Sequence, residues 1–251
     1  MERLRHVALL YTYNRPELLG RSIRCWLEQE YTNKQLLIFN NSSCNITLHE
    51  FDNSQNIKIW NNHISTETNQ EYNNLGQIIY DSFEYFKSIL FQEDNIITFW
   101  QDDDIYFSNF LNAITTFKGD IYKAKQFIFY NKQNKEISIT ENNAEGTWFL
   151  KPDFIKNYHN NRVYQDSQKG LYDYITSIPT NYIIDSSLPI SYVYEWGNNI
   201  FHLSGNMDNK DNFKNYREHN NKHESNIIVW SKEKLMNYYK DKIGRASCRE
   251  R

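Results

Sequence analysis

With 251 residues, of which 39% are hydrophobic, the chain is long enough to bury one sizeable core. Its formal net charge of -3 at pH 7 argues against nucleic acid or an anionic membrane surface as a partner, because both attract clustered basic residues. The 3 cysteines lack zinc-ligand spacing, and no segment has the length of a membrane span or the order of a signal peptide, so we expect a cytoplasmic protein.

The first part of the chain alternates between strand and helix patterns. An apolar run at His6–Thr12 predicts a strand, and Pro16 then stands where a helix can begin, since the first helical turn does not use the missing N–H. The elements predicted next are a helix through Leu27, strands at Gln35–Phe39 and Ile57–Trp60, a helix at Leu75–Leu90 and a strand at Ile96–Trp100. This alternation predicts an α/β fold with a largely parallel sheet and helices on both faces.

Three consecutive aspartates, Asp102, Asp103 and Asp104, follow the last of these strands. Carboxylates this close repel one another and raise one another's pKa, and their hard oxygens suit a divalent cation. The alternative is a solvated turn that caps the next helix. The polar segments Thr12–Arg15 and Asn40–Ser43 also follow predicted strands, so all three segments should meet at the carboxyl ends of the sheet, where such folds bind ligands.

Four segments in register resemble family 2 glycosyltransferases of the GT-A fold, which belong to the nucleotide-diphospho-sugar transferase superfamily. These segments are Tyr11–Leu19, Gln35–Ser43, Asn74–Gly76 and Trp100–Asp104. The resemblance covers about residues 5–118. It implies a Rossmann-like, mostly parallel central sheet with helices on both faces and a smaller acceptor-side part. No GxGxxG or Walker pattern follows the first strand, which weakens a dinucleotide-binding or P-loop assignment.

The reaction implied by the resemblance is transfer of a sugar from a nucleoside diphosphate donor to an acceptor hydroxyl, usually with inversion at the anomeric carbon. In the family a DxD motif, matched here by Asp102 and Asp104, holds Mn²⁺ or Mg²⁺ against the donor diphosphate. The resemblance places Asp104 as the direct ligand and Asp102 against the ribose or a metal-bound water, with Asp103 between them. Several GT-A enzymes add a histidine ligand from the C-terminal region; His202 is the candidate here, and a structural histidine is the alternative.

The nucleotide is expected at the ends of the first two strands. Thr12, Asn14 and Arg15 match the segment that lies along the nucleotide in the family, and Arg15 could contact either the diphosphate or a neighbouring acidic side chain. Asn40, followed by Asn41, stands where the family commonly has an aspartate that accepts the N–H of uracil. Because an amide donates as well as accepts, the resemblance does not fix uridine as the base.

The catalytic base is expected in the second half of the chain. Inverting transfer needs an ionised carboxylate within hydrogen-bonding reach of the acceptor hydroxyl. Asp173 precedes a hydrophobic helix pattern as the family's aspartate does, and Asp166 matches one member of the family's acidic pair, whose other member is Gln165 here. We place Asp173 ahead of Asp166, with helix capping as the alternative role of both.

The chain is expected to divide into three regions. Residues 1–118 are the predicted nucleotide-sugar-binding half, and residues 119–242 are the predicted acceptor-binding and catalytic-base half of the same domain. Residues 243–251 depart from the Asn- and Lys-rich composition before them, so we expect a non-native tail there and a native C-terminal portion that could be missing.

The expected partners are a nucleoside diphosphate sugar donor and a saccharide or glycolipid acceptor, in surface polysaccharide or glycolipid synthesis. Any membrane contact should be peripheral, at the inner face. One alternative is a non-catalytic, degenerate sugar-nucleotide-binding protein, because the acidic pair has lost a member at Gln165. A nucleotidyltransferase has less support, because its Gly-rich phosphate loop is absent.

Overall fold

The computed structural model describes residues 4–12, 15–41, 45–48, 56–61, 75–114, 119–124, 126–131, 136–140, 144–160, 183–184, 191–196 and 227–230. Its strands are β1 (Arg5–Thr12), β2 (Lys34–Asn40), β3 (Asn45–Leu48), β4 (Ile57–Asn61), β5 (Asn95–Phe99), β6 (Ile105–Tyr106), β7 (Ile121–Lys123), β8 (Phe127–Asn131), β9 (Glu136–Thr140), β10 (Trp148–Leu150), β11 (Ile183–Ile184), β12 (Tyr192–Trp196) and β13 (Ile227–Trp230). Its helices are α1 (Pro16–Leu27), α2 (Leu75–Leu90) and α3 (Pro152–Asn160), with 3₁₀ turns at Phe110–Ala113 and Glu145–Thr147.

A seven-stranded sheet in the order β11-β7-β10-β5-β1-β2-β4 forms the centre of the protein. The strands β5, β1, β2 and β4 pair in parallel, and β11 pairs in parallel with β7. Among the described strands of this sheet, β10 is the one that runs antiparallel to both of its neighbours. The predicted α/β fold with a mostly parallel central sheet is therefore confirmed.

The central sheet is buried on both faces, because successive residues of a strand point to opposite sides. Leu10 of β1 belongs to the same buried cluster as Trp26 of α1. Its neighbour Leu9 belongs to the cluster on the other face, together with Phe83 of α2 and Ile155 of α3. Helices thus cover both faces, as predicted.

None of the described helices is both long and apolar enough to cross a membrane.

A second sheet, in the order β6-β12-β8-β9, brings a late part of the chain beside the aspartates. The strand β6 follows Asp104 directly and pairs antiparallel with β12, Tyr106 lying opposite Tyr192. A two-stranded sheet pairs β3 with β13. The strands β6 and β12 thus pair across the boundary that we expect near residue 118, and the division into two halves stays a prediction.

The buried His6 of β1 should make the protein less stable as the pH falls. His6 is fully buried, its Nε2 lies 2.9 Å from the Ile114 carbonyl oxygen, and burial lowers its pKa to about 4. Between the unfolded value near 6.5 and this folded value, the unfolded state binds the proton more readily. We therefore expect the free energy of unfolding to fall by about 2 kcal/mol between pH 7 and pH 5 from this residue.

Urea unfolding of the wild type and of His6→Phe at pH 7 and pH 5 checks this prediction. The variant should be less stable at pH 7, because the Ile114 carbonyl oxygen loses its donor, yet its stability should depend less on pH. An equal loss of stability in the two proteins between pH 7 and pH 5 would contradict the role of His6.

Candidate functional site

Polar side chains meet at the carboxyl ends of β1, β2 and β5, as the sequence predicts. The strand β1 ends at Thr12, β2 ends at Asn40, and β5 leads into the three aspartates. The Asn41 N–H donates to the Thr12 carbonyl oxygen at 3.0 Å, and the Thr12 hydroxyl donates to Asp102 Oδ2 at 3.0 Å. Thr12, Asn41 and Asp102 are all buried. The ends of the first two strands and the aspartates therefore form one connected polar site.

Arg15, at the N-terminus of α1, joins two of the three aspartates. Its carbonyl oxygen accepts a helical hydrogen bond from the Leu19 N–H at 2.9 Å, which fixes the residue at the start of the helix. Its Nη1 lies 3.1 Å from Asp102 Oδ1 and 2.9 Å from Asp103 Oδ2. Of the two contacts that the sequence leaves open for Arg15, the structure shows the contact with acidic side chains.

Asp104 is held by the late strand β12. The Tyr192 hydroxyl donates to Asp104 Oδ2, and the Glu195 N–H donates to Asp104 Oδ1 at 3.1 Å. The Glu195 carboxylate accepts from Arg21 Nη1 at 2.5 Å, and Arg21 Nη2 donates to the Asp103 carbonyl oxygen at 2.5 Å. The aspartate segment is thus held from two sides, by β12 and by α1.

The three carboxyl groups are costly to ionise together. Burial raises the pKa of Asp102 to about 6, although the Arg15 guanidinium opposes this effect. Burial and the charge of Asp103 raise the pKa of Asp104 well above its usual range. Burial also raises the pKa of Tyr192. The phenol therefore stays protonated and donates a hydrogen bond to Asp104. A bound cation would lower the cost of ionising these groups.

The side chain of Asn40 is oriented by a neighbouring strand. Asn61, at the end of β4, accepts from the Ile46 N–H at 2.8 Å and donates to the Ile46 carbonyl oxygen at 3.0 Å, which fixes the orientation of its own amide. The Asn61 oxygen then accepts from Asn40 Nδ2 at 2.7 Å. At the end of β2, the Asn40 amide therefore directs its NH₂ group towards β4.

Aromatic rings pack next to the aspartate segment, residues 102–104. Trp100 stacks on Tyr106 with ring centroids 3.7 Å apart, and the Tyr106 hydroxyl accepts from the Gln101 N–H at 2.9 Å. The Tyr106 ring lies 5.1 Å from that of Tyr192, the residue that donates to Asp104. A shift of either tyrosine ring would therefore change the position of the hydroxyl group that donates to Asp104.

Replacing Gly146 with alanine should disturb this aromatic support. A Cβ atom at Gly146 would come within 2.6 Å of Tyr192 Cε2 and 2.7 Å of the Tyr106 hydroxyl oxygen. Such overpacking costs about 1–3 kcal/mol, so we expect Gly146→Ala to lower the free energy of unfolding by that amount. Urea unfolding measures the effect. A change below about 0.5 kcal/mol, the range of ordinary surface substitutions, would show that the two rings move aside freely.

The aspartates have the donor chemistry of a Mn²⁺ or Mg²⁺ site. Asp102 and Asp103 converge on a single cationic nitrogen, Arg15 Nη1, and carboxylate oxygens are the ligands that hard cations prefer. Asp104 instead directs its two oxygens to Tyr192 and to the Glu195 N–H. Within the described ranges, no group of three or more His, Cys, Asp or Glu side chains is arranged to hold a metal. The three carboxylates therefore have the chemistry to bind a divalent cation, and in this structure Arg15 pairs with two of them.

The structure places some of the predicted site residues and reveals others. It brings together Thr12, Arg15, Asn40, Asn41, Asp102, Asp103 and Asp104 at one edge of the sheet. Asn14, Asp166, Asp173 and His202 lie outside the described residues. Sequence reasoning missed Arg21, Tyr192 and Glu195. A charged residue in an apolar strand was the available signal for Glu195, whereas Arg21 lies on the same helix face as Glu17 and Arg24, so the helical pattern gave no signal for its burial.

No protein-family model matches this sequence, and no curated protein matches it. The structure is similar to S. aureus TarS 1-349, with a TM-score of 0.51, and to the same protein in complex with UDP, with a TM-score of 0.52, both at 13% sequence identity. Each similarity covers 76% of this chain and 60% of that chain, so this chain spans less than two thirds of the length of those structures.

A mannosyltransferase from Pyrobaculum calidifontis, in complex with GDP-Man and Mn²⁺, has a TM-score of 0.39 and 11% identity. That similarity covers 62% of this chain and 47% of the mannosyltransferase chain, and a likeness this distant supports no inference about this chain. The likeness to TarS, at 13% identity, establishes architecture and not activity. We conclude that this chain has the GT-A-type fold of glycosyltransferases, with a mostly parallel central sheet.

Proposed function

We propose that this chain is a metal-dependent, inverting glycosyltransferase of the family 2 type, which moves a sugar from a nucleoside diphosphate donor to an acceptor hydroxyl. The observation that carries the proposal is the convergence of Asp102 and Asp103 on Arg15 at the carboxyl ends of parallel strands. In open α/β sheets this edge is where ligands bind. The site there has a cationic side chain, Arg15, that can pair with a diphosphate, and carboxylates that can pair with its counter-ion.

The nucleotide would lie along the ends of β1 and β2, against Thr12, Asn14, Arg15, Asn40 and Asn41. The complex of TarS with UDP supports a nucleoside diphosphate as the ligand class. Asn40 replaces the aspartate that family members commonly use for uracil, and the NH₂ group of Asn40 is already directed to Asn61. We leave the base open among uracil, guanine, cytosine and adenine.

Asp102 and Asp104 would hold the metal, with Asp103 beside them and His202 as a further ligand. When bound, Mn²⁺ or Mg²⁺ supplies Lewis-acid neutralisation of the negative charge on the departing diphosphate. Thr12 holds Asp102 through its hydroxyl, and Tyr192 with the Glu195 N–H holds Asp104. These hydrogen bonds fix the carboxylates before a sugar donor binds. The conformational entropy lost on binding is therefore smaller.

The acceptor would bind on the side of residues 119–242, where Asp173, or else Asp166, would take the proton from its hydroxyl. A carboxylate of ordinary pKa is ionised at neutral pH and can serve as this base. The acceptor class that we propose is a saccharide or a glycolipid, in the synthesis of a surface polysaccharide or glycolipid. Work at the inner face of a membrane would then need only a peripheral contact.

One observation favours a second candidate, a non-catalytic sugar-nucleotide-binding protein. Asp104, the ligand that the resemblance makes central, is 1% exposed and has a hydrogen bond to each of its oxygens from within the protein. A carboxylate whose only role is to hold the chain after β5 against β12 would be equally buried and would accept the same hydrogen bonds. In that case the protein would bind a nucleotide and would not turn over a donor.

Incubation with UDP-, GDP-, CDP- and ADP-sugars, with Mn²⁺, with Mg²⁺ or with a chelator, tests the proposal. The proposed enzyme should release the nucleoside diphosphate from one donor class, with water as a slow acceptor, and only when a metal is present. Binding of a nucleotide without release from any of its sugars, even when saccharide acceptors are added, would favour the non-catalytic candidate.

A further inference from the structure

Arg15 pairs with Asp102, which we propose as a metal ligand, and with Asp103 beside it. Its Nη1 lies 3.1 Å from Asp102 Oδ1 and 2.9 Å from Asp103 Oδ2, so one nitrogen serves both oxygens. The exposed fractions of the three side chains are 17% for Arg15, 2% for Asp102 and 13% for Asp103. Charges this sheltered from solvent interact strongly with one another, because little water screens them.

The buried aspartates need a positive charge at this place. Asp102 is held between the Thr12 hydroxyl and Arg15, and Asp103 carries a second negative charge beside it. Without the Arg15 guanidinium, Asp102 would be a buried carboxylate beside the like charge of Asp103. Only the weaker effects of the Thr12 hydroxyl and of Arg21 would then oppose the rise of the Asp102 pKa. Arg15 therefore supplies from the chain itself the charge that the aspartates require.

A divalent cation and the Arg15 guanidinium would compete for the carboxylate of Asp102. A hard cation would take carboxylate oxygens of Asp102 as ligands, and the positive charge of Arg15 beside that carboxylate would repel it. The guanidinium, in contrast, has another use when a diphosphate is present, because its planar fork pairs well with phosphate oxygens. The same side chain can thus neutralise the carboxylates first and the diphosphate afterwards.

We propose that Arg15 is the resident counter-ion of the aspartates, and that it passes from Asp102 and Asp103 to the donor diphosphate when metal and nucleotide bind together. This inference rests on the proposed function. Metal alone has to displace Arg15 from Asp102 and brings no phosphate with which the guanidinium could pair. Metal with a nucleoside diphosphate brings phosphate oxygens to which the guanidinium can pass, so each ligand strengthens the binding of the other, as linkage requires.

The binding of Mn²⁺ alone, measured from the electron paramagnetic resonance signal of the free ion, tests the inference. We expect Arg15→Met to bind Mn²⁺ without nucleotide about tenfold more tightly than the wild type, because the competing charge is gone. Arg15→Gln keeps hydrogen-bond donors near the carboxylates and should show the same gain, which covers the case in which the methionine variant folds poorly. Arg24→Met removes a cation from the same helix that pairs with Glu28, and it should bind Mn²⁺ as the wild type does.

Both neutral variants should also lose part of the mutual strengthening between Mn²⁺ and the nucleoside diphosphate. One result would overturn the role of Arg15 and leave the proposed function standing. In that result, folded Arg15→Met and Arg15→Gln bind Mn²⁺ no more tightly than the wild type does, while the wild type still binds a nucleoside diphosphate with Mn²⁺. A wild type that binds none of the nucleoside diphosphates with Mn²⁺ would overturn the proposed function and this inference together.

Discussion

Asp104→Asn should abolish transfer, with kcat/KM lower by at least about 100-fold, the loss typical of removing one group that stabilises developing charge. The substitution keeps the size of the side chain and removes its negative charge. In the proposed enzyme that charge holds the metal against the diphosphate. The measurement is release of nucleoside diphosphate from the donor sugar that the wild type turns over.

Two further variants separate this loss from a structural one. In Asp104→Asn the new NH₂ group cannot accept a hydrogen bond, so either the Tyr192 hydroxyl or the Glu195 N–H loses its acceptor. Tyr192→Phe removes one of these hydrogen bonds and keeps the charge of Asp104, so its activity should fall much less. Asp120→Asn, in a half-exposed pair with Lys151, should leave activity unchanged. Equal losses in Asp104→Asn and Tyr192→Phe would mean that Asp104 serves the architecture only.

Arg21→Met should strongly destabilise the protein, lowering the free energy of unfolding by about 3–5 kcal/mol. Arg21 is 9% exposed and Glu195 is 3% exposed, and their side chains pair at 2.5 Å. Removing the arginine leaves the Glu195 carboxylate buried without its cation and takes a donor from the Asp103 carbonyl oxygen. Chemical denaturation of the wild type and the variant measures the cost.

The double variant Arg21→Met with Glu195→Met tests the mechanism of that loss. It removes both charges, and the Glu195 N–H bond to Asp104 belongs to the backbone and remains, so most of the lost stability should return. Arg24→Met, which breaks the neighbouring pair with Glu28 on the same helix, should cost less than about 1 kcal/mol, because Glu28 is exposed. A double variant as unstable as Arg21→Met would show that lost packing, and not the unpaired charge, is the cause.

The fold could be predicted from the sequence because its signals are local. The apolar spacing of α2 predicts Leu75–Leu90, and the structure has the helix at the same residues. The predicted strands differ from β1 and β4 by one residue at one end and from β2 and β5 by one residue at both ends, because strand ends are set by pairing and not by the apolar run alone. The reversed direction of β10 left no local signal, since a strand buried on both faces looks the same in either direction.

The candidate site could be predicted only in part. Thr12 ends a predicted strand, Arg15 and Asp102 follow within three residues of predicted strand ends, and the rule for parallel sheets brings such ends together. The contacts from Tyr192 to Asp104 and from Arg21 to Glu195 join residues 88 and 174 positions apart. No periodicity connects residues at such separations, so buried polar partners of this kind become visible only in the structure.

The measurement that tests the central claim most directly is the thermal stability of the protein with UDP, GDP, CDP and ADP, each with and without Mn²⁺. We predict that one nucleotide raises the melting temperature when Mn²⁺ is present, because a ligand that binds only the folded state stabilises it. The rise should disappear in Asp104→Asn and persist in Asp120→Asn. No rise with any of the four nucleotides, or an equal rise in Asp104→Asn, would contradict a nucleotide-sugar site at these aspartates.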